Sequence, residues 1–187
     1  VSTLVAGQVS VQPAEFTQVK FDAAQIAELV ETLAEQLGVS NTIQLVVDET
    51  TPLAKITCSI EAASSDATIM IEAQSGALEN TKQLTTLGVS QLNTSVGRML
   101  LRARDRMRPD FADTPDDDDL SLNETATWDT YCAGRLARLG HAINEQRWRY
   151  NHRNRLGFSD AADADFDRLW SADDLGWADV IAGDPAN

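Results

Sequence analysis

An α+β fold is predicted: an N-terminal helix, a small antiparallel sheet of three to four strands, a long central helix and further helices after it. Three observations in the chain carry that prediction. Apolar residues recur by three and four over residues 89–108, which lays them on one helical face. Three β-branched runs, at 42–47, 54–61 and 67–73, precede that helix, joined by connections too short for helical crossovers. Beyond residue 122 the helical period returns. A single domain over 1–187 is expected, made of an arm (1–20), a helix–sheet–helix core (21–108), an acidic loop (109–122) and a helical part (123–187).

Taken in order, residues 2–12 alternate loosely through Leu4, Val9 and Val11, as an arm or an edge strand would. Asp22 and Gln25 stand at capping-box spacing before a stripe of Ile26, Leu29, Val30, Leu33 and Leu37, and Gly38 supplies the stop. In the run 54–61 Ile56, Cys58 and Ile60 alternate with Lys55, Thr57, Ser59 and Glu61, so one face packs and the other is wet. The pattern suits a three-stranded meander. Residues 75–80 read as a turn or a short irregular piece.

The central helix puts Val89, Leu92, Val96, Met99, Leu100, Ala103 and Met107 on its apolar side. Arg98, Arg102 and Arg106 follow one another at four-residue intervals on the opposite side, and Pro109 ends the helix. Asn123 is the expected cap of a helix whose stripe is Trp128, Tyr131, Cys132, Leu136 and Leu139. Residues 141–156 keep no single period. Ser159 then caps a helix burying Ala162, Phe166, Leu169 and Trp170, and Ser171 with Asp174 starts a last one burying Leu175, Ala178 and Ile181.

Charge narrows the functional classes. The net charge of −14 disfavours sequence-independent nucleic-acid binding, which needs a basic face to displace counterions, and it repels anionic membranes. Residues 1–97 hold three Lys against eleven acids; the rest holds twelve Arg, no Lys and eighteen acids. Eleven of those Arg lie in 98–108 and 135–155, with an aspartate run at 116–119 between them. Acidic segments that neutralise Arg-rich helices within the fold explain this distribution best. The sharper alternative is an Arg-lined groove for an anionic partner or ligand.

Cys58 and Cys132 lie far apart in apolar patterns, as buried thiols do, and no CxxC spacing is present. No apolar run reaches membrane-spanning length, and VSTLVAGQVS has no charged n-region or extended apolar stretch. A cytoplasmic protein is expected.

Few residues suggest chemistry. On a continuous helix His141, Glu145 and His152 would fall within about 40° of one another. His141 and Glu145 could then share a metal ion, but His152 would lie about 10 Å further along the axis. Two half-exposed histidines in an Arg-rich segment are the simpler account. Asp163, Asp165 and Asp167 imitate the start of a calcium loop, but Arg168 occupies the place of the required Gly, so a solvated helix face is expected. The run 116–119 is expected to be a loop. GxGxxG, Walker, GxSxG and HExxH motifs are all missing. A Ser–His–Asp triad remains open, because the sequence does not place its members together.

The order helix, three strands, long helix, further helices resembles the core of zinc metalloproteases of the zincin type over residues 20–140. In that family the helix after the sheet carries HExxH. Here that helix contains no His and reads LNTSV and SVGRM. The resemblance therefore implies a core without its catalytic equipment, and no functional residue carries across.

The leading expectation is a non-enzymatic cytoplasmic protein acting through protein–protein contacts, with an unidentified protein or a second copy as partner. No catalytic residue, metal or cofactor is expected, nor a nucleic-acid or membrane partner. Four Trp, with Arg, supply the motif types enriched at interfaces, although they could equally fill the core. The alternative is a hydrolase or anionic-ligand-binding protein using Arg98, Arg102, Arg106, His141, Glu145 and His152.

Overall fold

Described over residues 2–184, the computed structural model divides the chain into two units, Val1–Met107 and Arg108–Asn187. The fold class is α+β. Among the described residues it has six helices, a mixed five-stranded sheet and a two-stranded sheet.

The first unit begins with a hairpin of β1 (Leu4–Ala6) and β2 (Val9–Gln12), so part of the expected arm is sheet. α1 (Ala23–Leu37) crosses over to β3 (Ile43–Asp48), which lies parallel to β2. Asp22 caps α1 by accepting from the backbone N–H groups of Ala24 and Gln25. Gly38, at φ 66°, ends it in the left-handed conformation that Gly adopts without a Cβ clash. Ile26, Val30 and Leu33 are fully buried, worth about 1.5–3 kcal/mol each.

The expected antiparallel meander of three to four strands is corrected here. β4 (Ile56–Ile60) is an edge strand, and β5 (Ile69–Gln74) enters between β3 and β4, parallel to β3 and antiparallel to β4. The full order is β1-β2-β3-β5-β4. Alternation determines which face a residue takes, not which strand is its neighbour. The connection 49–55, at roughly 3.3 Å per residue, is long enough to step over one intervening strand. Up–down–up direction survives; adjacency does not.

A small hairpin, β6 (Glu79–Asn80) and β7 (Gln83–Leu87), occupies a stretch that reads as irregular in the sequence. The buried Glu79 carboxylate organises it, accepting from Ser75 Oγ at 2.9 Å and Thr85 N at 3.1 Å. Thr85 is held at φ 61°, and its carbonyl accepts from Lys20 N at 2.7 Å.

α2 (Val89–Arg106) follows and packs on α1, β4 and β5. Leu92, Val96, Met99 and Leu100 are buried as the period predicts, but so are Arg102 and Asp105. The Arg-bearing side is therefore no simple solvated face. Arg104 Nη1 donates to Leu37 O at 2.9 Å, a cationic cap on the carboxyl end of α1.

The second unit starts with a 3₁₀ turn at Pro109–Phe111 and continues in α3 (Leu122–Arg138), α4 (Glu145–Leu156), α5 (Asp160–Ser171) and α6 (Trp177–Val180). Ser121, not Asn123, caps α3: it forms a capping box with Glu124, a Ser-x-x-Glu pattern that begins two residues earlier. Phe111, Trp128 and Trp177 form an aromatic core with Trp128 and Trp177 ring centroids 5.2 Å apart. The last helix is displaced from its expected register, since Trp177 and Val180 are buried while Ala178 is exposed. Leu175 N instead donates to Tyr131 Oη at 3.0 Å, which holds the approach to α6 as a loop. Among the described residues no helix is long and apolar enough to cross a membrane.

Candidate interaction surface on the α4–α5 hairpin

Residues 145–156 form a continuous helix although their apolar period is poor, because ions rather than apolar side chains seat it. Asn144 caps α4 by accepting from Arg147 N at 3.1 Å. Glu145 lies in its first turn and Arg153 and Arg155 in its last, a charge order that interacts favourably with the helix dipole. Gly157, at φ 106°, closes it, and Ser159 caps α5 by accepting from Ala162 N.

Between the two helices runs a ladder of opposite charges. Arg149 pairs with Asp167 on α5 and, at 3.2 Å, with Glu145 one turn back. Its guanidinium also lies 4.2 Å from the centroid of the Phe166 ring. Arg153 grips Asp163 through two bonds of 2.6 Å, and this fork holds the carboxyl below the usual carboxylate range. At the centre His152 is buried, with Nε2 3.3 Å from Asp165 Oδ2. That approach is off the line of a good hydrogen bond, so both atoms remain poorly satisfied. Burial pushes the Asp165 carboxyl up, but His152 beside it and Arg168 at 2.6 Å outweigh burial and hold it below its ordinary value.

The expectation of a solvated face at Asp163, Asp165 and Asp167 is thus corrected. Spaced by two, they meet Arg153, His152 and Arg149 in turn. On α4, acids of α5 thus offset Arg149 and Arg153. His152 Nδ1 also lies 3.3 Å from Thr130 Oγ1, which completes a hydroxyl–imidazole–carboxylate sequence. The Thr130 hydroxyl donates to Ala126 O at 2.8 Å and is buried, so it is spent within α3 and closed to a substrate.

The outward side of α4 differs. Arg147, Tyr150, Asn151, Asn154 and Arg155 are exposed and recur by three and four, forming one strip. Tyr150 and Phe158 are 58% and 67% exposed, and their rings meet edge to face at 6.0 Å. Arg147 and Arg155 enter no ion pair among the described residues, whereas Arg149 and Arg153, on the inner side, both do.

The six residues singled out from the sequence fall into the two units, three in each. Arg98, Arg102 and Arg106 are on α2; Arg102 is buried, Arg98 and Arg106 half-buried, and Arg106 Nη1 approaches Cys58 Sγ at 3.6 Å. His141 lies in the connection after α3, and α4 begins only at Glu145, so the i, i+4 helical pairing of His141 with Glu145 is not made. Glu145 serves Arg149, and His152 faces Thr130 and Asp165. Among the described residues no three His, Cys, Asp or Glu side chains stand together as a metal-binding group. The tryptophans weighed as interface candidates turn inward: Trp128 and Trp177 are buried and Trp148 and Trp170 half-buried. The exposed Tyr150, Phe158, Arg147 and Arg155 were overlooked in sequence. Pairing of Asp163, Asp165 and Asp167 with Arg153, His152 and Arg149 identifies the inward α4 face, and the sequence does not show that pairing. Comparison with known protein families, curated proteins and solved structures gave no match.

Proposed function

We propose that the protein is non-enzymatic and cytoplasmic, and acts by holding another protein against the outer face of α4. The observation that carries this reading is the solvent-exposed Tyr150–Phe158 pair on a helix that also exposes two unmatched Arg side chains. Aromatic and Arg side chains are enriched where interfaces concentrate their energy, and a partner would cover apolar surface that water now meets. Cys58 and Cys132 are both buried thiols, in keeping with a reducing compartment.

The test is site-specific photo-crosslinking in the native cells from position 151, at the centre of the strip, with exposed Glu35 on α1 as the control position. A discrete adduct from 151 that is missing from 35, and that disappears in the Tyr150→Ser/Phe158→Ser variant, is expected. Equal adducts from both positions would overturn the reading.

The order of α1, sheet and α2 also supports a second element of the proposal, that the first unit is a zincin-like core serving as scaffold. α2 follows the sheet after the short β6–β7 hairpin and has no His to ligate zinc. The alternative, an anionic-ligand site on the α2 arginines, has as support the half-buried Arg98 and Arg106. Binding of an anionic ligand lost in Arg98→Gln and in Arg106→Gln would favour it.

A further inference from the structure

Resting on the reading that the outer face of α4 docks a protein, we infer that its occupant is a short extended segment of a partner carrying two acidic side chains four residues apart, with an apolar side chain midway. Three features of the strip lead there. Arg147 and Arg155 are the α4 arginines left over once Asp167 and Asp163 have taken Arg149 and Arg153. Both are exposed, and their planar guanidinium groups suit carboxylates, which they can grip through two bonds. Tyr150 is part of the same strip, and its ring, meeting exposed Phe158 just beyond the end of α4, gives an apolar side chain a place to rest.

Spacing determines the motif. Eight residues of helix separate Arg147 from Arg155, about 12 Å along the axis. An extended chain advances about 3.3 Å per residue, so four residues cover that distance. Side chains at i, i+2 and i+4 of such a segment share one face, which places the two acids opposite Arg147 and Arg155 and the apolar residue opposite Asn151, next to Tyr150 on the helix. Asn151 and Asn154, both exposed between the two Arg, each offer an amide donor and an amide acceptor to the segment's backbone.

Charge selects against the other occupants. Residues 108–187 hold eight Arg and seventeen acids, a balance of −9. A nucleic-acid strand presents a phosphate at every nucleotide and would meet that field along its whole length, with two Arg to offset it. A short segment needs only two charges matched, and beyond about 8 Å physiological salt screens the remainder. Two copies paired through this face would bring four unmatched Arg together.

The experiment measures fluorescence anisotropy of labelled nonapeptides with the full chain. One peptide carries Glu-Ser-Leu-Ser-Glu at its centre, one Gln-Ser-Leu-Ser-Gln, and one Glu-Leu-Glu. The four-residue acidic spacing is expected to bind best, and Arg147→Gln or Arg155→Gln to weaken it roughly two- to five-fold each. Neither substitution should alter binding of the Gln peptide. Equal affinity for the Glu and Gln peptides, still lost in Tyr150→Ala/Phe158→Ala, would overturn the acidic partner while leaving the docking face intact. If no peptide distinguishes the native chain from that double variant, both readings fall. Tighter binding of a uridine oligomer would overturn the segment in favour of nucleic acid. Concentration-dependent sedimentation lost in the double variant would overturn it in favour of a second copy.

Discussion

At the scale of single residues, the second unit depends on buried charge. Asp165 is 9% exposed and held as a carboxylate by His152 and Arg168 against the cost of burial. Replacing it with Asn leaves His152 facing a neutral amide, and a loss of about 1–3 kcal/mol is expected, read by denaturant unfolding at neutral pH. The pH dependence has a definite sign. The folded carboxyls of Asp163 and Asp165 both lie below their ordinary value, so their stabilisation is complete above about pH 4 and is lost as pH falls through the folded values. Thermal melts from pH 6 to pH 3 should show a steeper decline for the native chain than for Asp165→Asn. Parallel curves would remove Asp165 from that account.

At the scale of elements, α3 and α5 meet at Gly134. A Cβ there would lie 2.2 Å from Trp170 O, a backbone atom that cannot move aside alone. Gly134→Ala should cost about 1–3 kcal/mol by forcing the helices apart, whereas Gly140→Ala meets nothing within 4 Å and serves to separate crowding from backbone effects, given its φ of 93°. Comparable losses in both variants would argue for backbone strain over crowding. The Arg138 side chain reinforces the same junction, donating to Trp170 O and pairing with Asp173 at 2.6 Å. Element types were legible where the period was strong: α1, β3, β5, α2 and the body of α3. α4 was not, because an interface made of Arg, His and Asp carries no apolar stripe. The cap of α3 was misplaced by two residues because Asn123 and Ser121 are both good cap residues, and the Glu three places on decides between them.

At the scale of the whole molecule, the balance of −14 and pI of about 4.4 predict a minimum of solubility near that pH, checked by light scattering across pH 3.5–6. Scattering unchanged across that range would show that the net charge does not control association. The sequence by itself determined the α+β class, the buried centres of the apolar faces and the helix stop at Gly38, because these follow from local periods and local backbone preference. Tertiary structure alone decided that β5 enters between β3 and β4, that α5 supplies the acids for α4, and that Tyr150 and Phe158 stay in water. Strand neighbours and charge partners are choices among distant segments with equivalent local patterns, and only three-dimensional packing distinguishes them. For the candidate surface, the acid spacing at 163, 165 and 167 was visible, but which side of α4 it would cover was not.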